Sequence, residues 1–86
     1  MSDVATTTER RRAQLVGFLV GHLPVDRLDD EEDLFAGGYV NSLFALELVV
    51  FVETTFGVTV EGADLELDNF RSVRSLLALL ERKLDR

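Results

Sequence analysis

Apolar residues recur at helical spacing in three separate stretches of this chain, and these stretches predict three helices. In the first stretch, intervals of three and four residues separate Ala13, Val16, Leu19, Val20 and Leu23. Thr7 or Thr8 can cap the start of this helix. It should end near His22, because a residue that precedes a proline, here Pro24, disfavours helical backbone.

The second stretch, Ser42 to Phe56, is the most apolar part of the chain. Asn41 can cap it, since an asparagine side chain accepts a hydrogen bond from a free amide of the first helical turn, and Gly57 suits its C-terminal end. Nine of the eleven residues from Ser42 to Val52 are apolar, more than one buried face requires. Helical periodicity places the predicted core positions in one arc: Ala45, Leu48, Val49, Val52 and Phe56, with Phe44 and Phe51 at its border.

The opposite face of this helix carries an apolar strip, formed by Leu43, Leu46 and Val50 and edged by Glu47 and Glu53. Burial of one such apolar side chain is worth about 1.5–3 kcal/mol, so an exposed strip indicates a partner that covers it. The alternative is that a third element of the same small bundle packs there.

The third stretch is capped by Ser72, with Ser75 where a capping box would have a glutamate. Its apolar stripe consists of Val73, Leu76, Leu77, Leu80 and Leu84. Residues 58–60 alternate like a strand but are too few to pair usefully, so we expect an extended connection there. We expect one short helical turn at residues 64–69. Leu65 and Leu67 or Phe70 should point inwards from that turn.

These elements predict an all-α fold: a small up-down bundle of three main helices plus one short helix. A long loop joins the first two helices, and its anchors to the core are Val25, Leu28, Leu34 and Phe35. A length of 86 residues suits one small domain. We expect residues 1–6 to be a flexible tail and residues 7–86 to be the domain.

Composition excludes several kinds of chemistry. The chain has no cysteine, so it has neither disulfides nor thiolate metal sites, and this suits a cytoplasmic protein. The N-terminal residues carry no hydrophobic run of the kind found in signal peptides. The longest apolar run, Leu48 to Val52, has five residues, far short of a membrane span.

Charge is segregated along the chain. From Leu28 to Phe70 there are eleven acidic residues and no lysine or arginine, and all nine basic residues lie outside that segment. An acidic middle segment is expected to attract basic partners, and it disfavours binding to nucleic acid. Simple solubility is the alternative explanation.

Residues for catalysis or metal binding are few. The acidic run Asp29 to Asp33 lacks the spacing of a calcium loop, so we expect it to be solvated, and His22, at a helix end, suits a capping or surface role. One small helical domain leaves little room for a substrate pocket, so we expect no enzymatic activity. Ser42 remains: a hydroxyl at a helix start is exposed, and the helix dipole there favours a phosphate.

The residues around Ser42 resemble the modification site of acyl and peptidyl carrier proteins, whose Asp-Ser-Leu motif begins the second helix. Here the motif reads Asn41-Ser42-Leu43. Asp33-Leu34-Phe35 resembles the segment that precedes the family serine, and Phe56-Gly57-Val58 resembles the end of that helix. Asn69-Phe70-Arg71-Ser72-Val73 resembles the segment that leads into the last helix, so the likeness covers about Thr8 to Leu84.

Two features depart from the common family pattern. Asn41 replaces the usual aspartate, and Gly38 lies four residues before the serine, where fatty-acid carriers have the glycine three before it. The glycine spacing resembles that of aminoacyl and D-alanyl carriers. The string VNSLFALELVVFVE resembles discrete carriers of glyceryl, hydroxymalonyl, methoxymalonyl and aminomalonyl units, in which the Asn-Ser pair is familiar.

The resemblance implies a discrete acyl carrier protein, monomeric and without catalytic activity. Ser42 would bear covalent 4′-phosphopantetheine, Asn41 would cap its helix, and the cargo would be a glyceryl- or malonyl-derived unit for polyketide or related biosynthesis. Its partners would be a phosphopantetheinyl transferase, an acyl-loading enzyme, and a ketosynthase or acyltransferase. The resemblance also assigns contact with those enzymes to Leu43, Leu46, Glu47, Val50 and Glu53. The alternatives are an aminoacyl or D-alanyl carrier, and an unmodified acidic helical interaction module.

Overall fold

The computed structural model describes residues 3–38 and 40–84, and every regular element in that part of the chain is helical. The three α-helices are α1 (Asp3–His22), α2 (Ser42–Phe56) and α3 (Val73–Leu84). Two 3₁₀ helices, Gly62–Leu65 and Leu67–Phe70, lie between α2 and α3. The predicted all-α fold with three main helices is confirmed, although two 3₁₀ helices stand where one short helix was expected.

Helix α1 begins earlier than the sequence predicts. Its first residue is Asp3, so the capping role predicted for Thr7 or Thr8 is wrong. Threonine inside a helix costs at most about 0.7 kcal/mol relative to alanine, which is too little to stop a helix whose later turns bury leucines. The end at His22 is confirmed. The flexibility predicted for residues 1–6 stays a prediction, and residues 1 and 2 lie outside the described residues.

The core consists mostly of aliphatic side chains, which come from all three helices and from the connections between them. Nine of them are fully buried: Leu15, Leu19, Leu34, Leu48, Val52, Val73, Leu76, Leu79 and Leu80. The core arc predicted for α2 is confirmed, since Leu48 and Val52 are buried and Ala45, Val49 and Phe56 pack against the core.

The stripes predicted for α1 and α3 are only partly correct. In α1 the buried residues include Leu15, which the predicted stripe omitted, whereas Ala13 is exposed. In α3 the structure buries Leu79 and leaves Leu84 38% exposed. Both helices have apolar residues on more than one face, so the period alone does not identify the face that meets the core.

The connection between α1 and α2, residues 23–41, is fastened to the bundle. Leu28 and Leu34 are buried, and Val25 and Phe35 pack against the core, which confirms all four predicted anchors. Backbone hydrogen bonds also tie the connection to the start of α3. The Leu34 amide donates to the Arg71 carbonyl at 2.7 Å, and the Arg74 amide donates to the Asp30 carbonyl at 2.8 Å.

Three acids of the run in this connection form ion pairs that the sequence did not predict, while their side chains stay between 37% and 71% exposed to solvent. Asp30 accepts from Arg12 of α1 at 2.7 Å, and the Glu31 carboxylate pairs with Arg74 of α3. Asp33 accepts from Arg71 at 3.1 Å. The basic residues at the two ends of the chain therefore neutralise part of the acidic middle segment, a pairing that sequence distance alone does not reveal.

The segment between α2 and α3 has no regular structure at residues 58–61 and then forms the two 3₁₀ helices, so the extended conformation of residues 58–60 stays a prediction. Phe70 is buried and Leu67 is 59% exposed, so of the two alternatives predicted for the inward position Phe70 is correct. The inward orientation predicted for Leu65 is wrong, because this side chain is 52% exposed. Each 3₁₀ helix has only four residues, which leaves room for few inward positions, and Phe70 takes the one beside α3. The predicted cap of α3 is confirmed by the Ser72 hydroxyl, which accepts from the Ser75 amide at 3.1 Å.

Candidate functional site

Ser42 is the first residue of α2, and its side chain is exposed. The predicted cap is confirmed: Asn41 has extended backbone, and its Oδ1 accepts from the Phe44 amide at 2.8 Å. The hydroxyl of Ser42 makes no hydrogen bond to any residue that the structure describes. The free amides of the first turn and the helix dipole make this end of α2 suitable for a negatively charged group.

The chain reaches Ser42 through a turn that Asp33 shapes. One carboxylate oxygen accepts from the amides of Phe35 at 3.0 Å and Ala36 at 2.9 Å, and the other accepts from Arg71. The hydrogen bond from the Ala36 amide, together with Arg71, lowers the pKa of Asp33, and Asp33 in turn raises the pKa of Arg71. Gly38 then adopts a φ of 76°, a left-handed conformation that glycine reaches without strain.

A shallow groove opens directly beside Ser42, and we call it the serine groove. Its volume is about 460 Å³, and its walls come from α2, the preceding connection and the second 3₁₀ helix. The lining residues are Phe35, Val40, Asn41, Ser42, Ala45, Leu46 and Leu67. Leu67, which the sequence offered as an alternative to Phe70 for an inward position, forms part of the surface next to the hydroxyl.

The apolar strip predicted on α2 is present. Leu43, Leu46 and Val50 are 69%, 64% and 57% exposed, so no described element packs over them. This result removes, for the described chain, the alternative that a third element of the bundle covers the strip. Exposed side chains of this size, next to one another on one helix, are typical of a surface that binds a partner.

The two glutamates beside the strip differ in their surroundings. Glu47 is exposed, and no described residue pairs with it. Glu53 is half-buried, and its carboxylate accepts from the Val60 amide at 2.8 Å, which holds the segment after α2 against the helix. Glu53 therefore has a structural contact that the sequence did not suggest.

A second groove lies between α1 and α2, and we call it the α1–α2 groove. It is lined by Phe18, His22, Leu43, Leu46, Glu47, Val50 and Phe51. Sequence reasoning did not assign Phe18 or His22 to any site. Their spacing of four residues puts them on one face of α1, but only the packing of α1 on α2 brings that face to the strip.

The remaining acids are partly neutralised. Lys83 of α3 contacts the Asp64 carboxylate at 2.6 Å and lowers the pKa of that carboxyl group. Among the described residues, no group of three or more acidic or histidine side chains is arranged to hold a metal ion. Within the same residues, no helix combines the length and the apolar character needed to cross a membrane.

All of the site residues predicted from the sequence except Glu53 line the two grooves beside α2, and Leu46 lines both. Asn41 and Ser42 lie at the N-terminal end of α2, and the strip of Leu43, Leu46 and Val50 continues from them.

Residues 15–80 match the family model described as the phosphopantetheine attachment site, and this match covers most of the chain. No curated protein and no solved structure matches the chain significantly. The matched segment contains Ser42, both grooves and the whole of α2. The chain therefore belongs to the phosphopantetheine attachment family, whose members are non-catalytic carriers that hold acyl groups on a covalent 4′-phosphopantetheine.

Proposed function

We propose that this protein is an acyl carrier in which the Ser42 hydroxyl is the attachment point of 4′-phosphopantetheine. The observation that carries the proposal is the position of this hydroxyl, which is exposed and without a described hydrogen-bond partner at the capped N-terminus of α2. It also lies inside the segment that matches the attachment family.

The surroundings of Ser42 fit a phosphodiester. The free amide groups and dipole at the start of α2 favour a phosphate, and no acidic residue lies in the first turn to repel it. Asn41 caps the helix as aspartate does but adds no negative charge beside the phosphate. The serine groove offers apolar surface next to the attachment atom, against which part of a flexible arm can lie.

When bound, the prosthetic group supplies a terminal thiol that holds the cargo as a thioester. The protein's own residues hold the attachment oxygen at the surface, so that a flexible arm can reach the active site of whichever enzyme is docked. Such tethering raises the local concentration of the cargo, which is the physical basis of the carrier's effect on rate.

The strip on α2 is our proposed contact surface for the partner enzymes. Leu43, Leu46 and Val50 would supply apolar contact, and Glu47 would attract a basic residue of the partner. Glu53 is proposed as a further contact at the far end of the strip, in addition to its bond with the Val60 amide. The partners are a phosphopantetheinyl transferase, an acyl-loading enzyme, and a ketosynthase or acyltransferase.

For the cargo, we propose a glyceryl- or malonyl-derived unit used in polyketide or related biosynthesis. The support is the likeness of the string around Asn41 and Ser42 to carriers of such units, which is a family-level analogy. Intact-mass measurement of the loaded protein purified from its source tests this point. A mass increment that corresponds to an aminoacyl group would contradict it.

The attachment site is tested by incubation of the protein with coenzyme A and a phosphopantetheinyl transferase, followed by intact-protein mass spectrometry. We expect the wild type to gain the mass of one phosphopantetheinyl group and Ser42→Ala to gain none. Thr55→Ala is the matched control, since it removes another exposed hydroxyl of α2 and should load fully. A full mass gain in Ser42→Ala would refute the site, and no gain in the wild type would favour an unmodified interaction module.

A further inference from the structure

Arg71 lies where two segments that wall the serine groove come together. One wall is Phe35, in the connection between α1 and α2, and the other is Leu67, in the second 3₁₀ helix. The whole of α2 separates these two residues in the sequence, so no local backbone geometry fixes the distance between them. The opening of the groove beside Ser42 therefore depends on tertiary contacts that hold the two segments in place.

The Arg71 side chain contacts both segments. Its Nη1 donates to Asp33 Oδ2 at 3.1 Å, and Asp33 precedes Phe35 by two residues. Its Nε donates to Asp68 Oδ1 at 3.1 Å, and Asp68 directly follows Leu67. One planar guanidinium group therefore bridges a carboxylate beside each wall. The rigid fork of donors on arginine suits such a bridge, which the compact ammonium group of a lysine does not reproduce.

Two further contacts fasten Arg71 to the connection. Its guanidinium carbon lies 5.9 Å from the centroid of the Phe35 ring, within the range of a cation–π contact. Its backbone carbonyl accepts from the Leu34 amide at 2.7 Å. Asp33 is held in turn, because its other carboxylate oxygen accepts from the amides of Phe35 and Ala36. The wall formed by the connection is thus fixed by a connected set of contacts.

The exposure of these groups separates a role in positioning from a role in stability. The Arg71 side chain is half-exposed and the Asp68 side chain is exposed. Single ion pairs between exposed groups contribute little to the free energy of unfolding. Loss of the contact with Asp68 is therefore expected to release the Leu67 wall while the protein stays folded.

The position of the walls matters for the part of the prosthetic arm nearest to Ser42. Next to its phosphate, 4′-phosphopantetheine carries a pair of geminal methyl groups, and apolar walls beside the attachment oxygen suit such groups. Dispersion contacts weaken steeply with distance: a gap of about 0.5–1 Å already forfeits a quarter to a half of the attraction. Small displacements of Phe35 or Leu67 are therefore enough to lose contact with the arm.

We propose that Arg71 is a positioning residue for the prosthetic arm: it sets the separation of the Phe35 and Leu67 walls and thereby holds the base of the arm in the serine groove. This inference rests on the proposed function and deepens it. It adds to the site a residue that lies outside α2 and does not line the groove. Without Arg71 the arm would stay attached to Ser42 but would swing freely from its base.

The test compares the holo forms of the wild type and three variants by isotope-filtered NMR. Uniformly ¹³C-labelled protein carries an unlabelled arm, so nuclear Overhauser cross-peaks from the arm methyl groups report contact with each wall separately. Arg71→Ala removes the bridge. Asp33→Asn keeps an oxygen for the two amides but loses the oxygen that accepts from Arg71. Asp68→Ala removes the other partner of the bridge.

We expect cross-peaks from the arm methyl groups to both Phe35 and Leu67 in the wild type. Arg71→Ala should lose both sets. Asp33→Asn should weaken mainly the cross-peaks to Phe35, and Asp68→Ala mainly those to Leu67. A purely structural role would not produce this separation, because general destabilisation weakens contacts with both walls together.

Arg74→Ala is the matched control. Arg74 pairs with Glu31 and so also joins the connection to α3, but neither residue lines the serine groove. This variant should keep both sets of cross-peaks. Three results would overturn the inference: unchanged cross-peaks in Arg71→Ala, equal losses in Arg74→Ala, or absence of cross-peaks to both walls in the wild type. If Arg71→Ala does not fold, unchanged cross-peaks in both aspartate variants would overturn it.

Intact-mass measurement of the same samples separates this inference from the proposed function. Full loading of every variant, with cross-peaks that do not depend on Arg71, removes only the positioning role. Absence of loading in the wild type removes the carrier function, and the positioning role with it.

Discussion

Replacement of the cap residue before the candidate attachment serine should destabilise the protein by a measurable amount. Asn41 Oδ1 accepts from the Phe44 amide at 2.8 Å, and Asn41→Ala removes that acceptor. The site is exposed, so water can partly replace the bond. Loss of such a cap lowers the free energy of unfolding by about 1 kcal/mol, within a range of about 0.5–2 kcal/mol. For a domain of this size, 1 kcal/mol corresponds to a fall in Tm of about 4–8 °C.

Asn41→Asp provides the opposite change at the same position. Aspartate keeps the acceptor and adds a negative charge at the positive end of the helix dipole, which should stabilise the fold by about 0.3–1 kcal/mol at low ionic strength. High salt should reduce this gain, because it screens an exposed charge. The order of stability at low salt is therefore expected to be Asn41→Asp, wild type, Asn41→Ala.

Urea denaturation followed by circular dichroism measures these differences. Ser42→Ala is the control, because it alters the neighbouring residue without touching the cap and should change stability by less than about 0.5 kcal/mol. Equal stability of Asn41→Ala and Ser42→Ala would refute the assignment of Asn41 as the cap. A destabilised Asn41→Asp would refute the argument from the helix dipole.

Three further predictions concern stability and use the same denaturation assay. Leu48→Ala should lower the free energy of unfolding by about 2–5 kcal/mol, because Leu48 is fully buried. Leu43→Ala should change it by less than about 0.5 kcal/mol, because Leu43 is exposed. Equal effects of the two substitutions would contradict the assigned faces of α2. The folded state lowers the pKa of Asp33 and Asp64, so the stability that they provide is present above the ordinary aspartate pKa of about 3.9 and is lost as the pH falls through their folded values. The double variant Asp33→Asn/Asp64→Asn should therefore lose less stability on acidification than the wild type. If both proteins show the same dependence of unfolding free energy on pH, the contacts of Asp33 with Arg71 and of Asp64 with Lys83 do not stabilise the fold as argued. Glu53→Ala should lower the free energy of unfolding by about 1–3 kcal/mol, because it leaves the Val60 amide without its acceptor. Glu53→Gln keeps an acceptor oxygen and should recover much of that loss. Equal stability of these two variants would argue against the hydrogen bond.

The parts of the candidate site that are local in sequence could be predicted. A cap at Asn41, the end of α2 at Gly57 and the cap of α3 at Ser72 each depend on residues within one helical turn. The exposed strip on α2 could also be predicted, because α2 has more apolar residues than one core-facing arc can bury. Ser42 could be identified as a hydroxyl at a helix start because the cap residue Asn41 directly precedes it.

The orientation of α1 needed the tertiary structure. Its apolar residues follow helical spacing on more than one face: Ala13, Leu15, Val16, Phe18, Leu19 and Val20. Contact with α2 and α3 decides that Leu15 is buried and that Phe18 and His22 line a groove beside the strip.

Charge pairing likewise needed the fold. Arg71 and Asp33 are separated by 38 positions, and Arg74 and Glu31 by 43. The distribution of charges along the sequence predicted an acidic middle segment, but only the folded chain shows that arginines hold its first loop. The sequence by itself determined the presence of three helices, the caps of α2 and α3 and the exposed serine, since these depend on short-range bonds and periodicity. Only the tertiary structure decided which side chains from distant segments form the grooves and ion pairs, because those contacts depend on how the helices pack.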